Sequence, residues 1–222
     1  MEIEIIKLII KLDKRLTIAE AGKIRGFLGS LFWDRPYAHQ HRSNGGFVYQ
    51  YPCIQYKVIE GVCLLIGFKE GIEVVKKVFH ELKSLNINEK WEEILAKGLE
   101  SYKASFSLIS NQVYYSFLVP WLALNENNYE KYQKFGSWEK RKGLLESILI
   151  GNLLSISKSL GYTVNEPISA EIKNFKEVQT RLKDIPMIGF LGTFSVNFEI
   201  PDYWGIGKSV SRGFGTVKKI EQ

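Results

Sequence analysis

The chain has few of the residues that mark secreted or membrane proteins. Its 222 residues include two cysteines, Cys53 and Cys63, which are too few for a disulfide framework. The apolar runs are short and interrupted, so none has the length of a membrane-spanning helix. The first residues, "MEIEIIKLIIKLD", are acidic where a secretory signal has a basic segment. We therefore expect a cytoplasmic protein without a membrane segment.

The composition excludes the disordered and fibrous classes of protein. Hydrophobic residues make up 45% of the chain and charged residues 24%, as in ordinary globular proteins. This length allows one large domain or two small ones. The formal net charge of +6 favours a polyanionic partner. Beyond residue 204 the chain carries Lys208, Arg212, Lys218 and Lys219 against one acidic residue, Glu221.

The first half of the sequence has the element order of a ferredoxin-like unit. Residues 2–12 alternate as a strand, and Thr17 and Glu20 form a capping box that opens a helix ending near Phe32. Two strand-like runs, "YQYPCIQYKV" and "VCLLIGF", are joined by a tight turn at Glu60 and Gly61. The helical pattern "GIEVVKKVFHELKSL" and the alternating "SYKASFSLI" follow. The order β-α-β-β-α-β is predicted.

The second half repeats this pattern less regularly. The strand "VYYSFLVP" precedes "NENNYEKYQKFG", which is interpreted as a polar loop. A long amphipathic helix begins after Ser137 and ends at Gly161, and two strands and a glycine-rich loop follow it. We predict an α+β protein with tandem ferredoxin-like (RRM-like) domains over 1–110 and 111–222. The second lacks a clear second helix and ends in the glycine-rich loop.

The glycine-rich loop does not match a nucleotide-binding P-loop. The tripeptide "GKS" at 207–209 has Asp202 where that motif requires its first glycine, and too few residues follow for its helix. Two interpretations stay open. A flexible backbone bearing Lys208 and Arg212 allows close approach to a nucleic-acid phosphate. Alternatively, the glycines serve a tight turn that needs positive φ angles.

The segment "GFLGTFSVNFEIPDYWGIGKSVSRGFGTV", residues 189–217, resembles a known C-terminal signature. It is similar to that of the CRISPR-associated endoribonucleases of the sixth Cas family, which cut precursor repeat RNA into guide RNAs. The "YAHQHRSNGG" loop before a hairpin resembles the b subtype of that family. The resemblance covers both ends of the chain. Between about 95 and 175 only the pattern of elements matches.

The resemblance implies an activity, partners and site residues. It implies metal-independent cleavage of CRISPR repeat RNA in antiviral defence, without a cofactor, with products ending in a 2′,3′-cyclic phosphate and a 5′-hydroxyl. It also leads us to expect that the chain forms a homodimer and associates with a CRISPR effector complex. It assigns catalysis to His39 and His41, with possible support from Tyr37, Tyr49, Arg42 and Lys208. The residues predicted to contact RNA are Arg35, Arg42, Gly205, Gly207, Lys208, Ser209, Ser211, Arg212, Gly213, Gly215 and Lys218.

The chemistry of metal-free RNA cleavage suits a pair of histidines. One group removes the proton of the attacking 2′-hydroxyl and another protonates the departing 5′-oxygen, and both tasks favour a pKa near neutrality. In an extended segment residues i and i+2 point the same way, with Cα atoms about 6.7 Å apart. His39 and His41 could therefore reach one phosphate, while Arg42 or Lys208 supplies the cation for its developing charge.

Three alternatives stay open beside this hypothesis. A His-x-His pair is also a metal-ligand spacing, which Cys53 and Cys63 could complete as a zinc site in a scaffold or a metal-dependent hydrolase. Cys63, however, lies in an apolar run and is expected to be a buried, small hydrophobic residue. The two loop histidines could also be solvated, or the protein could bind repeat RNA without cutting it. His80, in the second helix, is interpreted as a structural residue at the surface or at the boundary of the core.

Overall fold

The computed structural model describes residues 1–32 and 50–221. Its contacts divide the chain into two compact units. The N-terminal unit comprises Glu2–Ala104 together with Ser211–Gly213. The C-terminal unit comprises Met1, Ser105–Val210 and the residues from Phe214 onward. No helix in the described part of the chain is both long and apolar enough to cross a membrane.

The N-terminal unit is a five-stranded sheet with two helices. Its elements are β1 (Glu2–Leu12), α1 (Ala21–Phe32), β2 (Ile54–Ile59), β3 (Val62–Phe68), α2 (Gly71–Glu81), β4 (Ser84–Ile87) and β5 (Lys90–Ser105). The strand order is β2-β3-β1-β5-β4. Removing the short β4 leaves the antiparallel order of a ferredoxin-like fold, so the predicted fold class is confirmed for this unit.

Alternation along the strands decides which face of this sheet meets the helices. Ile6, Leu8 and Ile10 of β1 share one core cluster with Ile24 and Leu28 of α1. The same cluster contains alternate residues of the next two strands: Ile54, Tyr56 and Val58 of β2, and Cys63 and Leu65 of β3. The alternate apolar residues of the strands and the apolar residues of α1 therefore form a single buried layer between the sheet and the helices.

Local signals in the sequence set the ends of two elements. The backbone N–H of Thr17 donates to the Glu20 carboxylate at 2.7 Å, which confirms the capping box. A 3-10 turn, Ile18–Glu20, then leads into α1. Between β2 and β3, Glu60 and Gly61 both have positive φ, +52° and +86°. Two such residues make the type I′ turn that suits a two-residue hairpin, as predicted.

One predicted strand is longer than expected. The stretch before "SYKASFSLI" is polar, yet β5 begins at Lys90 and includes it. Its charged side chains pair across the sheet surface: Glu100 lies 2.7 Å from Lys7, and Glu92 lies 2.8 Å from Lys14. Phe106, fully buried, separates the end of β5 from the next strand. The polar residues cover one solvated face of a strand, and they are not a loop.

The C-terminal unit has a four-stranded sheet. Its elements are β6 (Ser107–Trp121), α3 (Glu126–Lys134), α4 (Trp138–Leu160), β7 (Ala170–Leu182), β8 (Ile185–Glu199) and β9 (Val217–Ile220). The strand order β7-β8-β6-β9 is again ferredoxin-like. The glycine-rich segment stands between β8 and β9, where a second long helix would lie. The irregular second domain is confirmed.

The stretch "NENNYEKYQKFG" was predicted to be a loop, and that prediction is wrong. It forms α3, whose first turn is capped by Asn125: its side-chain oxygen accepts from the Asn128 N–H at 2.8 Å. Tyr132 is fully buried and anchors the helix. An asparagine N-cap and one buried aromatic residue are sufficient here because tertiary packing outweighs a polar composition.

Candidate nucleic-acid interface

The glycine-rich segment is fixed by backbone hydrogen bonds within the C-terminal unit. Gly205 forms an antiparallel bridge with Thr216, and the Ile206 N–H donates to the Gly215 carbonyl at 2.9 Å. The Gly215 N–H donates in turn to the Pro120 carbonyl at 3.0 Å. The segment is thereby tied to the end of β6 and is an ordered turn.

Its glycines are needed by the fold itself. Gly207 has φ of +88°, and a Cβ there would lie 2.5 Å from the Trp121 indole nitrogen. Gly215 has φ of +64°, and a Cβ there would lie 1.9 Å from the Ile206 carbonyl oxygen. Both positions require glycine for conformation and for space. The tight-turn interpretation is confirmed, and phosphate contact by the segment stays a prediction.

Basic side chains lie in this ordered turn and in β9, which follows it. Lys208 and Lys218 are exposed, and the Lys218 ammonium lies 5.9 Å from the centre of the Tyr203 ring. Lys219, by contrast, lies 3.3 Å from the Glu199 carboxylate. Ser209 is half-buried. Lys208 and Lys218 are therefore open to solvent, and their contact with RNA stays a prediction.

Ser211, Arg212 and Gly213 belong by their contacts to the N-terminal unit. Ser211 and Arg212 are half-buried, while Gly213 is buried. Burial lowers the pKa of the Arg212 guanidinium, and the nearby charge of Arg25 lowers it further. The structure thus places beside Arg212 a second cation, which the sequence analysis did not identify.

The predicted catalytic residues lie outside the described residues. They are Tyr37, His39, His41, Arg42 and Tyr49, in the segment 33–49. The predicted RNA contact Arg35 lies in the same segment. Their roles stay predictions, which rest on the sequence and its resemblance.

The two cysteines cannot complete one zinc site. The Cys53 carbonyl accepts from the Phe68 N–H, at the far end of β3 from Cys63. Five residues of strand separate the two positions, or about 17 Å, whereas two sulfurs on one zinc ion lie about 4 Å apart. Cys63 is fully buried in the core cluster, as expected. Among the described residues no group of three or more His, Cys, Asp or Glu is placed to hold a metal ion.

His80 lies where the sequence analysis placed it. It is exposed in the last turn of α2, with its ring edge-on to Phe79 at 5.1 Å. A histidine at a helix C-terminus is a favourable surface residue because its cationic form complements the helix dipole.

A buried lysine was missed by the sequence analysis. Lys57 of β2 is fully buried, and its ammonium donates to the side-chain oxygen of Gln55 at 3.0 Å. Burial lowers the pKa of Lys57 to about 7. The pair lies on the sheet face opposite the helices, because Ile54, Tyr56 and Val58 alternate with it on the helix side. Alternation of polar and apolar residues is typical of a strand with one solvated face, so the sequence alone does not indicate this burial.

The chain is similar to proteins of one family along its whole length. Models of the Cas6b N-terminal and C-terminal domains match residues 1–105 and 107–220. A crystal structure of Cas6b is 38% identical and covers 99% of this chain and 100% of its own, with a TM-score of 0.89. A crystal structure of the CRISPR RNA processing endoribonuclease Cas6b is 35% identical over 99% of this chain and 100% of its own, with a TM-score of 0.78. An uncharacterised protein of Methanocaldococcus jannaschii is 45% identical over 117 residues, 53% of this chain and 79% of that protein.

Proposed function

This chain belongs to the Cas6b family of CRISPR RNA processing endoribonucleases, and on that premise we propose that it cuts precursor RNA within its repeats without a metal ion. The observation that carries the proposal is the match of both family models, which leaves almost no part of either unit unmatched. The fold alone would not carry it, because ferredoxin-like domains serve many functions.

The reaction proceeds by attack of the RNA on itself. The 2′-oxygen of the nucleotide before the cut forms a bond to the adjacent phosphorus, and the bond from phosphorus to the 5′-oxygen breaks. The products end in a 2′,3′-cyclic phosphate and a 5′-hydroxyl. One proton leaves the 2′-hydroxyl and one reaches the departing 5′-oxygen, so the step needs a base and an acid.

His39 and His41 take these two roles in the proposal. Imidazole is the side chain whose pKa suits both proton transfers near neutral pH. Arg42 or Lys208 balances the charge that develops on the phosphate, and Tyr37 or Tyr49 orients the 2′-hydroxyl. The exposed Lys208 and Lys218 support the part of the proposal that gives the tail a role in holding RNA.

The proposal is tested by cleavage of labelled repeat RNA in excess EDTA. We expect cutting to persist in EDTA and to fall by about 10² or more in His39→Ala and His41→Ala, since general acid–base catalysis contributes that much. His80→Ala is the matched control, because this histidine is exposed on α2 and outside the proposed site. A substrate with a 2′-deoxy nucleotide at the cut should bind and stay intact.

Each alternative has its own outcome in this assay. Loss of cutting in EDTA would show a metal-dependent reaction, and cleavage of the deoxy substrate would exclude attack by the 2′-hydroxyl. Tight binding of the repeat without any cutting would identify a passive RNA-binding subunit. If only one histidine variant is inactive, the second histidine has no essential role.

Further parts of the proposal concern partners and limits of the domains. We take the domain limits as 1–110 and 111–222, and the place of action as the cytoplasm. A homodimer and association with a CRISPR effector complex are proposed partners, together with precursor and processed CRISPR RNA. Sedimentation of the purified chain with and without repeat RNA tests the homodimer directly.

A further inference from the structure

Within the N-terminal unit, Gly213 holds the turn Ser211–Gly213 close to β2 and α1. It has φ of +89°, and a Cβ at this position would lie 3.0 Å from the Tyr56 carbonyl oxygen and 3.3 Å from the Lys57 Cα. The Ala21 Cβ, at the start of α1, would lie 3.6 Å away. The glycine therefore lets the turn approach the backbone of β2 and the first turn of α1 closely.

This anchoring places the Arg212 guanidinium over the first turn of α1. Its Nη1 atom lies 3.0 Å from the position that a Cβ on Gly22 would take. Arg25 follows Gly22 by three residues, so it projects from the same side of the helix. Two guanidinium groups, separated by 187 positions in the sequence, therefore lie on one flank of α1, near enough for the charge of Arg25 to lower the pKa of Arg212.

The described residues offer no ion pair that would explain the approach of the two arginines. Among the described residues, neither Arg25 nor Arg212 forms an ion pair. Both are half-buried, so water screens their repulsion less than at an open surface. Two like charges in this position favour an anion between them.

We propose that Arg25 and Arg212 together bind one phosphate of the RNA backbone. The planar guanidinium presents paired N–H donors that match phosphate oxygens, and two such groups can satisfy one phosphodiester from two sides. The proposal rests on the proposed function, because that function supplies the RNA. The contact is independent of sequence and fixes the strand on the N-terminal unit.

Gly22 has a defined part in this site. At Gly22 the Arg212 guanidinium occupies the space that a side chain would need. No described residue lies within 4 Å of a Cβ placed on Gly26 or Gly29. Alanine at Gly22 would therefore displace the guanidinium by a few tenths of an ångström, whereas alanine at Gly26 would not.

The experiment measures binding of repeat RNA with a 2′-deoxy nucleotide at the cut, so that cleavage does not interfere. Arg25→Ala, Arg212→Ala and the double variant are compared over a series of salt concentrations. We expect each single variant to raise Kd roughly tenfold, as for a charged hydrogen-bonding group. The double variant should raise Kd by clearly less than the product of the two effects, because both arginines contact one group.

The salt dependence separates one shared phosphate from two. For single-stranded RNA, each neutralised phosphate contributes about 0.7 to the slope of log K against log salt. The double variant should therefore lose about 0.7 of this slope. A loss of about 1.4, or single effects that multiply fully, would show two separate contacts and overturn the shared site.

Matched variants control for fold and for net charge. Lys23→Ala removes a charge from the exposed side of the same helix, where its ammonium bonds to Asn88, and should bind RNA as the wild type does. Arg25→Lys keeps the charge, so it should keep the salt slope while Kd rises. Unchanged circular dichroism and thermal midpoints show that all variants fold.

The outcomes distinguish this inference from the proposed function. Wild-type protein that binds the repeat but cuts no RNA refutes the cleavage proposal, and the arginine effects then still support the phosphate site. Arginine variants that bind as tightly as the wild type refute the phosphate site alone. A wild-type protein that binds no repeat RNA refutes both.

Discussion

Replacing the buried Lys57 by methionine should change the stability in a way that depends on pH. Burial lowers the pKa of this ammonium from 10.5 to about 7. Each pKa unit corresponds to about 1.4 kcal/mol, so keeping the lysine in the folded protein costs up to about 5 kcal/mol at pH 7. Methionine has a similar length and no charge, and it removes this cost.

A second effect acts against the first. Without the lysine, the side-chain oxygen of Gln55 loses a donor at 3.0 Å. Losing one hydrogen-bond donor costs a buried acceptor about 1 to 3 kcal/mol. Lys57→Met should therefore raise the free energy of unfolding by about 2 to 4 kcal/mol at pH 7, which is the difference between the two effects.

The sign of the pH dependence follows from the proton balance. Between pH 7 and 10.5 the unfolded chain holds a proton that the folded chain has released from Lys57. The stability of the wild type therefore rises with pH over this range, and below about pH 7 this group adds no further change. The methionine variant lacks this rise, so at pH 10.5 it should be less stable than the wild type.

Guanidinium denaturation at pH 7 and pH 10.5 measures both differences. The matched control is Lys11→Met, an exposed lysine of β1 in the same sheet, which should change the stability by less than about 0.5 kcal/mol. A methionine variant that is less stable at pH 7 would refute the reasoning. So would a stability difference of equal size at both pH values.

Three further substitutions test the C-terminal unit by denaturation. Gly215→Ala should destabilise it by at least about 3 kcal/mol, because the methyl group would overlap the Ile206 carbonyl at positive φ. Gly151→Ala on α4 is the control, because no described atom lies within 4 Å of a Cβ placed there, and it should stabilise the unit by about 1 kcal/mol. A similar loss of stability in both glycine variants would contradict the argument. Tyr132→Phe should lose about 1 to 2 kcal/mol, because the buried hydroxyl donates to Glu177, and an unchanged unfolding midpoint would show that this bond is not stabilising.

The element order could be predicted from the sequence because its signals are local. The Thr17 and Glu20 capping box and the turn at Glu60 each involve residues within a few positions of one another. The helix α3 was missed because its cap and one buried tyrosine carry the signal within a polar composition. Local periodicity reports the shape of a segment, and it does not report what the segment packs against.

The sites were less predictable because they depend on distant contacts. The burial of Lys57 reflects packing on both faces of β2, which a polar and apolar alternation does not show. The meeting of Arg25 and Arg212 requires a turn near one end of the chain to contact a helix near the other. No window of sequence contains both partners of such a contact, so only a structure places them together.

The glycine-rich signature separates into a folding part and a binding part. Neighbouring atoms of the chain occupy the space that a Cβ would need at Gly207 and at Gly215. Glycine at these two positions therefore preserves the turn. Lys208 is exposed, and the Arg212 guanidinium packs at Gly22 of α1 and not within the turn, so neither side chain is needed to form the turn, and their charges suit a phosphate. A resemblance that rests on the glycines therefore supports the fold more strongly than it supports RNA binding. Substituting Lys208 and Arg212 while keeping every glycine should separate the two, with RNA affinity lost and the unfolding midpoint retained.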